Sequence, residues 1–590
     1  MTEVLNLIFT QNFLTRALVV GILVSLCSSL LGVSLVLKRF SMIGDGLSHV
    51  AFGAMAIACA ANVAPLYFAL PIVIFAAFLL LKMNESGKMK GDAAIALIST
   101  GALAVGVMAT SLTTGMNIDI YNYMFGSILT MTDSDVIIST VLSAIVISLF
   151  IIFYNEIFAV TFDESFAKAT GTPTSLYNML ISALTAVTIV VGMRMMGALL
   201  ISSLIIFPTV TSMKVCKSFR RVIISGALIS VFCFVSGLVL SVKYEAPTGA
   251  SVVCFNIYLF AAVSAFKALK SRNKPRAKVL SVISALLFSL IYIVVMVFGT
   301  SGIYNRDSDR ISVVTTAFAQ YDFARNIVGD KGEVTMLLSP GEESHTYEPT
   351  PSDIMKIKEC DVFVYGGGES EKWAEVILES VSEEIKTVKM MEAVELFEES
   401  HEEEGHEHTA NHSEVEYDEH VWTSPYNAVT ITEEISKAVI EADRANEAYY
   451  KDNTEEYISK LKELDDNFMN TVKNSTYGTI IIGDRFPLRY LTERYGLEYF
   501  SAFPGCSAQA EANPVTVSSL IDKVKADSIP VVFKVDLSTG KVAETISAAT
   551  GAEVLTLYSC HTVSAEDFNN GTGYIELMER NLKGISAALN

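Results

Sequence analysis

The 590 residues are too many for a single domain, and their charge is divided unevenly along the chain. Residues 1–300 contain 19 Lys/Arg and 11 Asp/Glu, a net charge of +8, whereas the remainder contains 24 and 53, a net charge of −29, so the overall acidity comes from the second half alone. No basic stripe is present to meet phosphates, which argues against nucleic acid as a partner.

Long apolar runs fill the first half, each near the ~20 residues that a helix needs to cross a bilayer. They predict a polytopic α-helical membrane domain of about nine spans over residues 1–270, with an extra transmembrane tether within 271–304. The spans are predicted near 13–37, 43–62, 64–82, 92–114, 134–154, 175–193, 194–213, 220–241, 248–269 and 278–298.

Clusters of Lys and Arg set the predicted orientation, because such clusters collect on the cytoplasmic side. With the N-terminus outside, every cluster falls inside, for example Lys38-Arg39 after the first span. Residues 155–174 then face the cytoplasm and 305–590 are extracytoplasmic, as in a multi-pass plasma-membrane protein surrounded by lipid. No cleavable signal peptide is expected.

The second predicted span contains an ionisable pair, Asp45 and His49, with Ser48 between them. Charged groups inside a membrane segment are costly and usually face a bundle interior or a pathway. Residues four apart share one helical face. The pair lines an ion pathway or only fixes helix packing, and the spacing does not decide between them.

At the predicted cytoplasmic face, residues 162–171 form a short amphipathic helix closed by Gly171, with Pro173 beyond it. This segment is a docking site for a partner or an ordinary connecting loop.

Four segments of the first half resemble the permease subunits of zinc- and manganese-type ABC importers, over about residues 10–270. They are LVLKRFSMIGDGLSHVAFGAMA, YMFGSIL, FDESFAKATGTP and MRMMGALLISSLIIFPTVTSMKV. The resemblance implies a permease pathway that includes Asp45, Ser48 and His49. It also implies that 162–171 is the helix coupled to the ATPase, with the motif residues Phe162, Asp163, Glu164, Phe166, Ala167 and Gly171.

A P-loop requires G-x-x-x-x-G-K-[ST], and the nearest glycine cluster, Gly366–Gly368, lacks the lysine and hydroxyl residue that should follow. ATP hydrolysis is therefore assigned to a separate subunit. By analogy with such importers, the membrane half is expected to form a homodimer that binds two ATPases.

The second half alternates short strands with helices, which predicts parallel α/β sheets. The predicted units are a first lobe at about 310–427, one long polar helix at about 428–472, and a second lobe at about 473–590. Two lobes joined by a helix form a cleft, and loops at the carboxyl ends of the strands supply its side chains.

Seven of the eight histidines lie in this acidic half, which indicates cations as ligands. His345 and His420 come from first-lobe loops, and Cys506, Cys560 and His561 follow strand-like runs of the second lobe. Imidazole and thiolate ligands favour zinc over calcium or magnesium.

The segments SPGEESHTYEPTPSDIMKIKECDVFVYGGG and DEHVWTSPYNA are similar to motifs of the solute receptors of zinc and manganese ABC importers. The similarity extends over about 310–590 through RYLTERYGL, AEANP and ELMERNLKGISAAL. It implies His345 and His420 as metal ligands, and a two-lobed α/β receptor domain with a rigid connecting helix.

Two positions depart from that family pattern. Asp484 stands where zinc receptors place a third histidine, and Ser559-Cys560-His561 replaces the usual carboxylate. His561 is predicted as the third ligand, and Asp484 is a weaker candidate. Cys506 and Cys560 complete a His/Cys site or form a disulfide with each other, which an extracytoplasmic setting permits.

A low-complexity tract rich in His and Glu lies between the first two ligands. It is interpreted as an auxiliary zinc-scavenging loop, the alternative being a solvated acidic loop. Its histidines are His401, His406, His408 and His412.

These patterns predict ATP-driven import of zinc, with manganese as the next candidate, by a chain that is itself no enzyme. A membrane-tethered zinc-dependent hydrolase is one alternative, with Glu419 as its general base, although no H-E-x-x-H helix is present. A metal sensor or adhesin anchored by its spans is another.

Overall fold

The computed structural model describes residues 2–60, 63, 65–85, 91–112, 128–129, 131–244, 246–270, 310–342, 347, 349–379, 385–398, 417–503 and 514–590. The chain divides into two compact units, one containing the helices before residue 271 and the other most of residues 305–590.

The first unit is entirely helical within its described residues. Six of its helices are long and apolar enough to cross a membrane, and three more contain shorter apolar stretches. These nine helices coincide with the apolar runs of residues 1–270, and nine membrane spans there stay a prediction; the predicted tenth span, 278–298, lies outside the described residues. The helices are α1 (Thr2–Thr10), α2 (Asn12–Leu37), α3 (Ile43–Ala60), α4 (Pro65–Glu85), α5 (Gly91–Leu112), α6 (Asp133–Ile152), α7 (Tyr154–Phe162), α8 (Glu164–Ala169), α9 (Thr174–Met196), α10 (Ala198–Val215), α11 (Phe219–Tyr244) and α12 (Thr248–Lys270).

Glycines allow these helices to approach closely, as is common where apolar helices pack without a strong hydrophobic driving force. A Cβ atom at Gly237 of α11 would lie 2.5 Å from the Cα atom of Val252 in α12. One at Gly53 of α3 would lie 2.4 Å from the carbonyl oxygen of Ala102 in α5. A side chain at either position would push the two helices apart.

The second unit contains two parallel four-stranded sheets, with orders β2-β1-β3-β4 and β6-β5-β7-β8. This confirms the two-lobed α/β prediction. The strands are β1 (Ile311–Thr315), β2 (Gly332–Met336), β3 (Val362–Tyr365), β4 (Lys386–Lys389), β5 (Thr479–Ile482), β6 (Glu498–Ser501), β7 (Val531–Val535) and β8 (Glu553–Leu557). The helices are α13 (Phe318–Val328), α14 (Pro351–Glu359), α15 (Lys372–Glu379), α16 (Pro425–Ala442), α17 (Glu447–Lys473), α18 (Arg489–Tyr495), α19 (Pro514–Asp527), α20 (Lys541–Thr550), α21 (Ala565–Asn569) and α22 (Tyr574–Leu589).

The single helix predicted at 428–472 is wrong: α16 ends at Ala442 and α17 begins at Glu447. Asp443 leaves the helical conformation (φ −132°, ψ 78°), and its carboxylate accepts hydrogen bonds from Asn446 Nδ2 at 2.7 Å and Tyr450 Oη at 2.6 Å. Short Asx side chains compete in this way with helical backbone bonds. The linking helix is therefore α17 alone.

One hydrophobic core runs through both lobes, including Phe318 of the first and Phe533 of the second. The buried carboxylate of Asp322 joins three helices, because it accepts hydrogen bonds from Tyr457 Oη at 2.8 Å and from the Tyr574 backbone N–H at 3.0 Å. The shared core fixes the positions of the loops that project between the lobes.

Candidate metal centre

Two histidine side chains from different lobes meet between the sheets. The ring centroids of His420 and His561 are 5.5 Å apart, and the ring planes are nearly perpendicular at 86°. The two residues are 4% and 8% exposed. Two neighbouring imidazoles, largely shielded from solvent, are a suitable pair of ligands for a zinc ion.

The Asp418 carboxylate fixes the orientation of His420. Its Oδ1 lies 3.0 Å from His420 Nδ1 and accepts the backbone N–H of the same residue at 2.8 Å. Tyr490 Oη in turn donates to the Asp418 carbonyl at 2.8 Å. A carboxylate on one ring nitrogen selects the tautomer whose other nitrogen, Nε2, carries the lone pair for a metal.

His561 is placed by a turn after β8. Its N–H donates to Ser559 Oγ at 3.3 Å, and Cys560 has a left-handed backbone with φ 55°. The His561 ring faces His420, whereas Cys560 is completely buried as part of the hydrophobic core.

The burial of Cys560 argues against the prediction that its thiol binds metal, and Cys506, its alternative partner, lies outside the described residues. Cys560 is a free thiol, and burial raises its pKa well above the ordinary value, which opposes formation of the thiolate that binds metal.

Trp422 connects the two histidine loops, a role that the sequence did not indicate. Its ring centroid lies 5.5 Å from that of His420 and 4.8 Å from that of His561. Its Nε1–H donates to the Ser559 carbonyl at 3.0 Å, and its own carbonyl accepts from Tyr574 Oη at 2.7 Å. The one available signal was its position two residues after His420.

His345 lies outside the described residues, but its flanks are placed. Gly341 N–H donates at 3.3 Å to Oγ1 of Thr562, the residue after His561. The Tyr347 ring packs against Trp373 at 5.5 Å. Gly341 thus lies beside the His561 turn. The other predicted ligands outside the described residues are Cys506, His401, His406, His408 and His412.

Two acidic residues follow strands of the second lobe. The Asp484 carboxylate accepts hydrogen bonds from the Arg485 N–H at 2.9 Å, from the Val535 N–H at 3.3 Å and from Ser538 Oγ. Burial raises the pKa of Asp536 to about 6. Within the described part of the chain, no three His, Cys, Asp or Glu side chains are grouped closely enough to bind a metal ion. The described centre is therefore the histidine pair.

In the first unit, Asp45 and His49 lie on one face of α3, as their spacing predicts. His49 Nε2 is 3.7 Å from Asp45 Oδ2, and the Ser48 hydroxyl donates to the Gly44 carbonyl at 2.8 Å. Ser48 is buried, whereas the Asp45 side chain is 52% exposed.

The segment 162–171 contains α8, which begins after Asp163. The Asp163 carboxylate accepts the Phe166 N–H at 2.9 Å and so caps the helix. Ala167 is buried, whereas Phe162 and Phe166 are 74% and 65% exposed. Gly171 has φ 88°, a conformation that favours glycine at a helix end.

Comparisons with known proteins assign a family to each half. Residues 313–588 match the family described as zinc-uptake complex component A, periplasmic, and residues 10–267 match the ABC 3 transport family. The high-affinity zinc uptake system protein ZnuA of Bacillus subtilis is 32% identical over 292 residues, which are 49% of this chain and 91% of that protein.

The chain belongs to the ZnuA family. It is a fusion of an ABC 3 permease domain with a ZnuA-type receptor domain. Both families are components of transporters rather than enzymes. With its apolar helices and permease domain, the chain is a membrane protein.

The receptor domain has further relatives. The zinc-binding lipoprotein AdcA of Streptococcus pneumoniae is 29% identical over 278 residues, and the match spans 47% of this chain but 55% of AdcA. The metal-dependent lipoprotein YcdH of Bacillus subtilis, a solved structure, is 29% identical, with a TM-score of 0.41, covering 48% of this chain and 100% of its own.

The structure thus brings two of the five predicted receptor ligands together, His420 and His561, and places Cys560 in the hydrophobic core. In the permease domain it joins Asp45 to His49. Glu419, the general base of the hydrolase alternative, accepts a hydrogen bond from the Ser370 N–H at 3.3 Å.

Proposed function

We propose that this chain is the permease and receptor of an ATP-driven importer of divalent metal, with zinc as the main substrate and manganese next. The single observation that carries this proposal is the convergence of the His420 and His561 rings in a receptor domain of the ZnuA family. The names of the ZnuA and AdcA relatives, which specify zinc uptake and zinc binding, favour zinc.

Metal capture requires both imidazoles to be neutral, because a protonated ring has no lone pair to donate. The Asp418 carboxylate holds the proton of His420 on Nδ1, so Nε2 binds the cation. His345 is proposed as the third ligand, since Gly341, four residues before it, is hydrogen-bonded to Thr562 beside His561. Cys506 and Asp484 are candidates for the fourth position.

Two further features of the receptor remain proposals. The tract with His401, His406, His408 and His412 is proposed as an auxiliary loop that collects zinc. The receptor domain occupies 305–590 on the outer side of the plasma membrane, and a tether within 271–304 attaches it to the permease domain, 1–270.

A separate ABC ATPase subunit is proposed to dock on α8. The exposed rings of Phe162 and Phe166 supply apolar surface of the kind found at the centre of protein interfaces. Two permease domains pair as a homodimer and bind two ATPases. ATP hydrolysis then moves the metal along a pathway that includes Asp45, Ser48 and His49.

The metal affinity of the isolated receptor fragment, residues 305–590, tests this function. The fragment corresponds to nearly the whole of a separate protein in Bacillus subtilis, so it is expected to fold alone. The tract from 401 to 412 is deleted to remove weak binding. Affinity is measured by competition with a chromophoric zinc chelator, and folding is checked by circular dichroism.

His420→Ala and His561→Ala should each lower zinc affinity by at least about 100-fold, since loss of a direct ligand costs more than the 10–100-fold loss of a supporting group. Lys437→Ala, at an exposed position of α16, is the control and should leave affinity unchanged. A third variant combines His420→Ala with His561→Ala. If it kept the wild-type affinity for zinc and manganese, the proposal would be overturned.

A further inference from the structure

Three polar side chains from separate parts of the permease domain meet near α8, at its predicted cytoplasmic face. Lys38 Nζ donates a hydrogen bond to Asn178 Oδ1 and lies 3.6 Å from Glu164 Oε2. Asn178 Nδ2 donates to Glu164 Oε1 at 3.0 Å. Lys38, Glu164 and Asn178 are named the bracing cluster below.

Each member of the bracing cluster has a hydrogen-bond partner within the cluster. The amide of Asn178 presents its oxygen to the ammonium group and its nitrogen to the carboxylate, so one side chain bridges both charges. Asn178 is 4% exposed and the Lys38 side chain 11% exposed. The Glu164 side chain is 40% exposed, so the Lys38 end of the ion pair is the part shielded from solvent.

One end of the bracing cluster is the proposed ATPase-docking surface. Glu164 is the first residue of α8, between the exposed rings of Phe162 and Phe166. Phe166 and Glu164 lie on the same short helix, α8, so a displacement of the Phe166 ring also displaces the Glu164 carboxylate, whereas Phe162 ends α7.

The other end is the turn that leads into α3. Lys38 is the C-cap of α2, and Arg39 follows with a left-handed backbone, φ 65°. The Phe40 N–H donates to the Leu35 carbonyl at 2.8 Å, and the Ile43 N–H donates to the Phe40 carbonyl at 3.1 Å, where α3 begins. The turn is too short and too fully hydrogen-bonded to absorb a displacement of Lys38.

A second contact fixes the neighbouring helix α7 independently of the bracing cluster. The Phe158 ring lies 4.9 Å from Phe219 of α11, and the Tyr154 ring lies 6.0 Å from it. Loss of Lys38 should therefore leave the α7–α8 platform in place. What it removes is the connection from α8 to the α2–α3 turn.

We propose that the bracing cluster transmits ATPase movement from α8 to α3, the helix that carries Asp45 and His49. Lys38, Glu164 and Asn178 are positioning residues for transport. The inference rests on the proposed importer function. When the ATPase displaces α8, the ion pair and the Asn178 bridge carry the displacement into the turn at Lys38, and α3 moves with it.

The test uses the full chain, reconstituted with its separate ATPase subunit in proteoliposomes, with ⁶⁵Zn supplied on the receptor side. Zinc transport and ATP hydrolysis are measured on the same vesicles. Lys38→Met should lower the zinc transported per ATP hydrolysed by about tenfold, within the range of coupling between distant sites. Binding of the ATPase, measured by co-purification, should be retained.

Two further variants sharpen the result. Lys217→Met removes the same charge from an exposed position between α10 and α11 and should leave the ratio of zinc to ATP unchanged. The double exchange Lys38→Glu with Glu164→Lys should restore most of the ratio, because the Asn178 amide can turn over to serve both reversed charges.

An unchanged ratio of zinc to ATP in Lys38→Met would overturn the inference. A parallel loss of transport, hydrolysis and ATPase binding would also overturn it, because that result indicates that the cluster only stabilises the fold. A wild-type chain that hydrolyses ATP without moving zinc would instead overturn the proposed function.

Discussion

The backbone of Cys560 decides which of two adjacent side chains can reach a metal. A thiol and an imidazole at 560 and 561 are both reasonable zinc ligands on chemistry alone. The left-handed conformation at Cys560 leaves the thiol in the core and the His561 ring against Trp422. Non-glycine residues adopt this conformation at a cost of about 1–3 kcal/mol, which the surrounding structure must offset.

Cys560→Ala should therefore leave zinc affinity within about twofold of wild type and lower the free energy of unfolding by about 1 kcal/mol, the contribution of one small buried group. Chelator competition and urea denaturation of residues 305–590 measure the two quantities. His561→Ala is the matched comparison, and its zinc affinity should fall by at least about 100-fold. A large loss of affinity in Cys560→Ala would return the thiol to the metal site.

Glu371 is a second buried residue, and its surroundings change the pKa of its carboxyl group. Its Oε2 accepts the Gly366 N–H at 2.6 Å and the Gly367 N–H at 3.1 Å, and the residue is 4% exposed. Burial raises the pKa of Glu371 from 4.5 to about 7. The nearby Glu419 carboxylate also raises this pKa, whereas the hydrogen bonds from Gly366 and Gly367 lower it. The folded protein thus holds a proton here that the unfolded chain releases above pH 4.5.

Because the folded state binds this extra proton, the free energy of unfolding should fall as pH rises from about 4.5 to about 7 and then level off. Glu371→Gln keeps an acceptor for both N–H groups and should reduce that fall by about 3 kcal/mol. Urea denaturation of metal-free receptor fragment at pH 5 and pH 7.5 measures the difference. Glu379→Gln, at an exposed position of α15, is the control; equal pH dependence in all three proteins would contradict the prediction.

At the scale of elements, the turn between α16 and α17 converts a predicted long helix into a helical hairpin. Ser436 Oγ and Thr454 Oγ1 lie 2.8 Å apart across the two helices, which places them side by side. Residues 443–446, Asp-Arg-Ala-Asn, contain neither proline nor glycine, so periodicity alone gives no sign of the break. The Asp443 carboxylate and its bonds to Asn446 and Tyr450 create it.

Asp443→Ala should lower the free energy of unfolding by about 1–3 kcal/mol, because the hydroxyl of buried Tyr450 loses its acceptor. Zinc affinity should not change, since the turn is remote in sequence from both histidine loops. Asp452→Ala, at an exposed position of α17, should stay within about 0.5 kcal/mol of wild type. Equal stability of the two variants would show that packing, rather than the Asp443 carboxylate, forms the turn.

At the scale of the whole molecule, joining the receptor and permease domains in one chain raises the effective concentration of each domain near the other. A tethered partner experiences an effective concentration of about millimolar for a short flexible linker. The fusion therefore permits a receptor that binds its permease only weakly, and so releases quickly after delivery.

Cutting the chain within residues 301–309, and exporting 305–590 as an unattached protein, should lower zinc uptake at low metal by at least about 100-fold, the usual scale of lost tethering. Uptake of ⁶⁵Zn by cells that express both halves measures this effect. A separate membrane anchor on the exported half is the control and should restore most of the uptake. Full uptake with the unanchored half would show that the tether has no role in delivery.

The sequence by itself determined the division into halves, the apolar helices of the first half, the two α/β lobes and the candidacy of His420 and His561. Each of these follows from local information, namely runs of apolar residues, charge clusters, strand-helix alternation and motif resemblance. Tertiary structure decided that Cys560 lies in the core, that Trp422 joins the histidine loops, and that Lys38 meets residues more than a hundred positions away. Those outcomes depend on single backbone dihedrals and on contacts distant in sequence, which no local pattern encodes.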